Sequence, residues 1–278
     1  MNKVSHAIIR KPHKDLTSNL PEGSLGIPDF NRLMLQYNEY CKSLKECGVL
    51  VIEVPADEKN PSGFFMNDIG IITNKMAVLS SKESMPHRTG EINSIISVLA
   101  ESKIIHSITE PGKINGSDVI QINNHFYIGL SDKTNHEGAS QLAFFLKETG
   151  HDVTVLSPDL PVSIHLESAI TYCGGNTIMI YEGLSKHYAF IGYDMIIVPE
   201  TEQDMTNSVY INDTLIVPLH AKETCKTIND MGIKYIQTPM TELMKIKGGM
   251  INLSLFLPEM AIEEISLPVS LTQKEQAA

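Results

Sequence analysis

Five short stretches of the chain place an asparagine, an aspartate or a histidine just before an apolar run. They are FFMNDIG with Asn67 and Asp68, KINGSDV with Asn115 and Asp118, SIHLESA with His165, MTNSVY with Asn207, and GGMINLS with Asn252. One such entrance is ordinary turn chemistry, because Asn and Asp side chains hydrogen-bond to nearby backbone. Five of them suggest a site. His165 is a general acid or base suited to neutral pH, and Glu167 two residues on offers a carboxylate partner. Asp68 can accept from a cationic group. The amides of Asn67, Asn115, Asn207 and Asn252 read in two ways, as Asx caps or as a neutral hydrogen-bonding cage for an uncharged or zwitterionic ligand. Arg88 and Lys133 are natural anchors for a ligand carboxylate, although either also fits a solvated surface.

Other chemistries find little support. The four cysteines (Cys41, Cys47, Cys173 and Cys225) form no CxxC pair and no metal-ligand spacing. The histidines show no HxH or HExxH pattern, and there is no P-loop or dinucleotide fingerprint, so no metal and no cofactor is expected. A net charge of −11 argues against nucleic acid and anionic membranes, both of which attract basic surfaces. No 18-residue apolar run is long enough to span a bilayer, and MNKVSHAIIRKPHK lacks the apolar centre of a signal peptide. The expected setting is cytoplasmic, with a small-molecule ligand as the partner and a homodimer left open.

The elements that must position these residues repeat along the chain. An apolar hairpin with an Asn, Asp or Gly turn is followed by an amphipathic helix and one more short apolar strand. Leu33, Met34, Tyr37, Cys41, Leu44 and Cys47 share one helical face, closed by Gly48. A second helix runs from about Thr89 to Ser102, a third follows Asn135, and a weaker one follows Leu219 and stops at Gly232. YDMIIVP fills the third-strand slot of a fourth unit whose linker is too short for a long helix. The hairpin at the C-terminal end lacks its second half, which the N-terminal strand HAIIRKP can supply by pairing with MINLSLFLP. The expected architecture is therefore a five-unit pseudo-symmetric α/β propeller. It occupies residues 1–265 as a single domain, with 266–278 as a tail. Such closure aims the five polar entrances at one axis.

This pattern, with EVPADEKNPSGFFMNDIGII, HRTGE, NGSDVI, YIGLSDKTNHEGA, SIHLESA and TNSVYIN, resembles dimethylarginine dimethylaminohydrolase. More broadly it resembles the pentein superfamily of guanidine-modifying enzymes, and the likeness runs from His6 to Pro258. The resemblance implies a cysteine nucleophile at the last entrance, a proton-shuttling histidine at the IH entrance and guanidinium-gripping acids at the first. His165 and Asp68 match. Asn252 stands at the implied cysteine position, Asn67 at an implied acid, Ser62 at a further guanidinium-binding acid, and Asn115-Gly116-Ser117-Asp118 replaces an Asp-Gly-Gly-Asp entrance. By the same resemblance Arg88 and Lys133 face a substrate carboxylate. An amide is not a nucleophile, and losing a covalent nucleophile costs upwards of about 5 kcal/mol of barrier. The reading is a divergent pentein that binds a small amino-acid-like carboxylate ligand in a central cavity. It acts as a non-catalytic binder or through thiol-independent chemistry at His165. The alternative is an active hydrolase or amidinotransferase working on a guanidine or amidine through a rearranged site.

Overall fold

The computed structural model describes residues 3–16, 25–81, 85–100, 103–156, 165–246 and 249–258. The expected tail at 266–278 lies outside them. The strands and helices, in chain order, are β1 (Val4–Arg10), α1 (Phe30–Glu46), β2 (Leu50–Val54), β3 (Gly70–Ile72), β4 (Met76–Leu79), α2 (Thr89–Leu99) and β5 (Ile104–Ser107). They continue as β6 (Val119–Ile122), β7 (His125–Ile128), α3 (His136–Glu148), β8 (Asp152–Val155), β9 (Ile170–Tyr172), β10 (Thr177–Tyr181) and β11 (Asp194–Val198). The rest are β12 (Val209–Ile211), β13 (Thr214–Pro218), α4 (Lys222–Asp230), β14 (Tyr235–Thr238), the single turn α5 (Thr241–Met244) and β15 (Ser254–Pro258).

These strands make five three-stranded sheets of one design. In each, a middle strand pairs antiparallel with its hairpin partner and parallel with the strand that follows. The middle strands are β4, β7, β10, β13 and β1, and their hairpin-side partners β3, β6, β9, β12 and β15 surround the axis. The ring closes where the pattern required. β1 runs antiparallel to β15, with Ile8 opposite Leu255, and parallel to β2. The fold is a five-unit pseudo-symmetric α/β propeller. The short fourth linker holds only two 3-10 turns, Glu182–Leu184 and Tyr188–Phe190, so β11 arrives without a long helix.

Local chemistry sets the element ends. Asp29 caps α1 by accepting from the Arg32 amide at 2.8 Å, and Asn135 caps α3 by accepting from the Gly138 amide at 2.8 Å. Helix α2 spans Thr89–Leu99 and closes on the last residue of its apolar register, while Ser102, the expected end, lies outside the described residues. The hairpin turns take left-handed residues, Asn123 after β6 and Asn212-Asp213 after β12, which match the right-handed twist of the flanking strands.

The core is built between neighbouring units. Ile92, Ile95 and Leu99 of α2 cluster with Ala77 and Leu79 of their own sheet, and with Ile8 and Leu255 of the next. Each fully buried aliphatic side chain contributes about 1.5–3 kcal/mol. Because these clusters straddle unit boundaries, no unit can keep its core when the ring opens. Among the described residues no helix is long and apolar enough to cross a membrane.

Candidate active site

Every axial strand is entered through a 3-10 turn: Met66–Ile69, Gly116–Asp118, Leu166–Ser168, Glu200–Asn207 and Ile251–Leu253. These are the five polar entrances, and their turns touch around the axis. The contact is close. A Cβ on Gly116 would run into the backbone carbonyl of Asn67, and one on Gly249 would lie 2.6 Å from Asn207 Oδ1. Glycine at these two positions lets the second entrance pack on the first, and the fifth on the fourth.

At the centre sits Glu167, buried and flanked by amides. Asn67 Nδ2 donates to both of its oxygens, at 2.9 and 2.8 Å, and Asn252 Nδ2 lies 3.4 Å from Oε2. Asn252 Nδ2 also donates to Ser117 Oγ at 2.6 Å, while Asn252 Oδ1 accepts from the Gly249 amide at 2.7 Å. Ser117 Oγ passes the chain on to Asp68 Oδ1 at 2.7 Å. One hydrogen-bonded line thus runs from Gly249 through Asn252 and Ser117 to Asp68, with Glu167 and Asn67 alongside. Burial pushes the Glu167 carboxyl well above the usual range. Nearby Asp68 and Asp118 push it further, and the hydrogen bond from Asn67 works the other way.

His165 belongs to a second group. Its Nδ1 lies 2.9 Å from Asp118 Oδ1, and Asp118 Oδ2 accepts from the hydroxyls of Ser131 and Thr134, both at 2.6 Å. Asp118 is buried, while the His165 side chain keeps 30% of its exposure. With Nδ1 committed to Asp118, Nε2 is the nitrogen left for proton transfer. This is the geometry of an oriented acid–base histidine. The carboxylate two residues downstream, Glu167, is directed instead to the amides of the axis.

The remaining expected residues are placed as follows. Asn115 is an Asx cap, with Oδ1 accepting from the Ser117 amide at 2.9 Å. Asn207 has a buried Oδ1 without a hydrogen-bond partner. Arg88 is buried, with Nε on Glu91 at 2.7 Å, Nη1 on the Phe65 carbonyl and Nη2 on the Gly63 carbonyl. Three of its donors are thus spent on the protein itself. Lys133 is exposed. The side chain of Ser62 lies outside the described residues.

One reading made from residue type needs correction. The asparagines do not form a free amide cage, because Asn67 and Asn252 both turn their amide nitrogens to the buried Glu167 carboxyl. Asp68 shares these surroundings with Glu167 and Asp118. Glu167 as an axial residue and Ser117 as a relay were missed. The available signal was a polar residue at the second or third place of a five-fold equivalent entrance.

No thiol joins this group. Cys41, Cys47, Cys173 and Cys225 are all buried, and burial pushes Cys41 up to about 11 and Cys173 up to about 12. Among the described residues no group of three or more His, Cys, Asp or Glu side chains is arranged to hold a metal.

A family model described as arginine deiminase matches residues 99–196. A dimethylarginine dimethylaminohydrolase of Pseudomonas aeruginosa is 29% identical over 252 residues, covering 90% of this chain and 98% of the relative. A protein of the same description from Streptomyces coelicolor is 24% identical over 260 residues, covering 91% and 97%. Among solved structures, a cysteine-to-serine mutant of the Pseudomonas enzyme complexed with citrulline superposes with a TM-score of 0.83. It is 28% identical and covers 92% of this chain and 100% of its own. The N-terminal domain of a cyanobacterial arginine dihydrolase shares the fold at a TM-score of 0.75 and 20% identity, covering 91% and 98%.

Proposed function

We propose that this chain, similar in sequence and fold to dimethylarginine dimethylaminohydrolase, is a divergent pentein that binds a small amino-acid-like molecule at the axis, on the side of the five polar entrances, without thiol-dependent hydrolysis. The observation that carries the reading is the placement of Asn252. Its oxygen is held by the Gly249 amide and its nitrogen by Ser117 and Glu167. Neither atom is a nucleophile, and no buried cysteine substitutes for it. The Pseudomonas relative complexed with citrulline supports an amino-acid ligand of that size. Lys133, exposed beside the second entrance, is the cation offered to the ligand carboxylate, with Asp68 and Glu167 at the other end.

A second reading keeps some catalysis. The His165–Asp118 pair is assembled as a general acid–base unit, and a water molecule activated there could attack a guanidine or amidine carbon without a thiol. Two carboxyls at the axis suit a planar cationic head better than a neutral one.

One experiment separates them. The purified protein and a His165→Ala variant are each incubated with arginine, its methylated forms and citrulline, and products and bound molecules are read by mass spectrometry. The binder reading expects no product and one retained amino acid. A product made by the parent and absent with the variant overturns it in favour of hydrolysis.

A further inference from the structure

Beneath the Asn67–Glu167 pair the axis is hollow. A cavity of about 150 Å3 is walled by the axial strands, chiefly Ile71, Val119, Ile120, Ile170 and Leu255, with Asn67 and Glu167 at one end. Tyr172 and Tyr210 stand at the other end. The same two tyrosines border a second cavity of about 540 Å3 among the hairpin turns, beside Asn123, Asn212 and Asp213. Their rings meet edge to face, with centroids 5.1 Å apart, and their hydroxyls are tethered to Asn123 and Asp213. The hollow therefore reaches Glu167 from behind, on the side of the hairpin turns.

We infer that this axial hollow is a second binding site, for a small uncharged molecule with an apolar body and one hydroxyl, entering past Tyr172 and Tyr210. Its walls favour an apolar guest, and apolar cavities of about this size take up benzene or xenon. A charged guest would have to shed its water along aliphatic walls, at a cost of several kcal/mol. The ionisable group at the inner end is Glu167, beside Asn67. A protonated carboxyl carries one O–H donor and keeps acceptor capacity, so it can hydrogen-bond a guest hydroxyl beside the Asn67 nitrogen. That contact would compete with Asn67 and Asn252 for the same oxygens, and so the guest would act on the ligand cavity through its floor. Only this last consequence rests on the function proposed above.

The probe is phenol, with benzene for comparison, titrated into the full chain carrying labelled isoleucine methyls and no amino-acid ligand. Saturable shifts are expected at Ile71, Ile120, Ile170 and Ile251, together with shifts of the Asn67 and Asn252 side-chain amides at the same half-saturation. Tyr210→Ala should speed phenol exchange, and Val119→Phe, which fills the hollow, should abolish the shifts. Gln121→Trp serves if that variant does not fold. Unshifted or non-saturating methyls overturn the site. Methyl shifts with motionless amides overturn its action on the ligand cavity. Because no amino acid is present, neither result bears on the function proposed above.

Discussion

The amide nitrogen of Asn67 lies 2.9 and 2.8 Å from the two oxygens of Glu167, straddling a carboxyl that has no cationic partner in its hydrogen bonds. A single amide is a weak counterweight for a buried anion, because neutral donors recover only part of its lost hydration. The arrangement therefore favours the protonated acid in the folded chain. This pair replaces the turn chemistry that Asn67 would otherwise supply, and it joins the first entrance to the third across the axis.

Stability should consequently fall as pH rises through the Glu167 transition. The folded carboxyl titrates above its ordinary value of about 4.3, so from there upward the folded chain holds more protons than the unfolded one. The contribution of Glu167 is fully favourable below that value and is lost as pH climbs to the raised one. Glu167→Gln keeps the shape and removes the titration. Denaturant midpoints from pH 4 to 8 should show a flatter profile for Glu167→Gln than for the parent, with the variant equal or up to about 2 kcal/mol more stable at pH 8. An unchanged profile would show that Glu167 is not the group responsible.

Arg88 should behave as a structural residue first. It shares Glu91 with Arg10, whose Nη2 lies 3.1 Å from the other carboxylate oxygen, and it also holds two backbone carbonyls. Arg88→Met would strand half of Glu91 in the interior and leave both carbonyls unmet, a loss of about 3–5 kcal/mol. Arg88→Lys should lose about 2 kcal/mol, since an ammonium cannot reproduce the planar fork. Urea unfolding measures both. A variant as stable as the parent would return Arg88 to the role of ligand anchor.

The ring was legible because its signals are local and repeated: apolar hairpins with Asn or Gly turns, helices with a 3.6-residue stripe, and strands of fixed length. Even the short fourth linker announced itself by its length. The site was legible as five places but not as a set of bonds. Nothing in SIHLESA says that His165 turns to Asp118, 47 residues away, while Glu167 turns to Asn67, 100 residues away. Such pairings depend on the angle between neighbouring sheets, which residue type does not encode. Arg88 shows the same limit. A surface arginine and one sealed against Glu91 carry the same letter.

Asp118 should fix the histidine tautomer. It receives the His165 Nδ1 and the hydroxyls of Ser131 and Thr134 while buried. With the carboxylate present, the Nδ1–H form is favoured. Asp118→Asn offers one acceptor and one donor in place of two acceptors, so an amide N–H meets either His165 Nδ1 or the two hydroxyls on Oδ2, at a cost of about 1–3 kcal/mol. Nitrogen NMR of the labelled ring should show Nδ1–H in the parent and a mixture in the variant. A ring that keeps one tautomer in both would mean that Asp118 does not orient it.

Introducing a thiol at the axis should not create a nucleophile. Asn252→Cys would place sulfur where the amide now meets Ser117 Oγ at 2.6 Å and Glu167 at 3.4 Å. With Asp68 one hydrogen bond away through Ser117, the buried Glu167 carboxyl alongside and no cation among these contacts, a thiolate would be repelled and desolvated together. The substitution would also strip the Gly249 amide of its acceptor, leaving a buried donor unpaired at about 1–3 kcal/mol. The variant should therefore be less stable than the parent and no faster with arginine or methylarginines. Its new thiol should alkylate with iodoacetamide at pH 7 no faster than an ordinary cysteine. Adding Asn67→Lys, which would lay an ammonium against Glu167 and the new sulfur, should speed alkylation over the single variant. If Asn252→Cys alone reacts rapidly and hydrolyses a guanidine, then the acids at the axis do not oppose a thiolate, and Asn252 is all that holds the chemistry off.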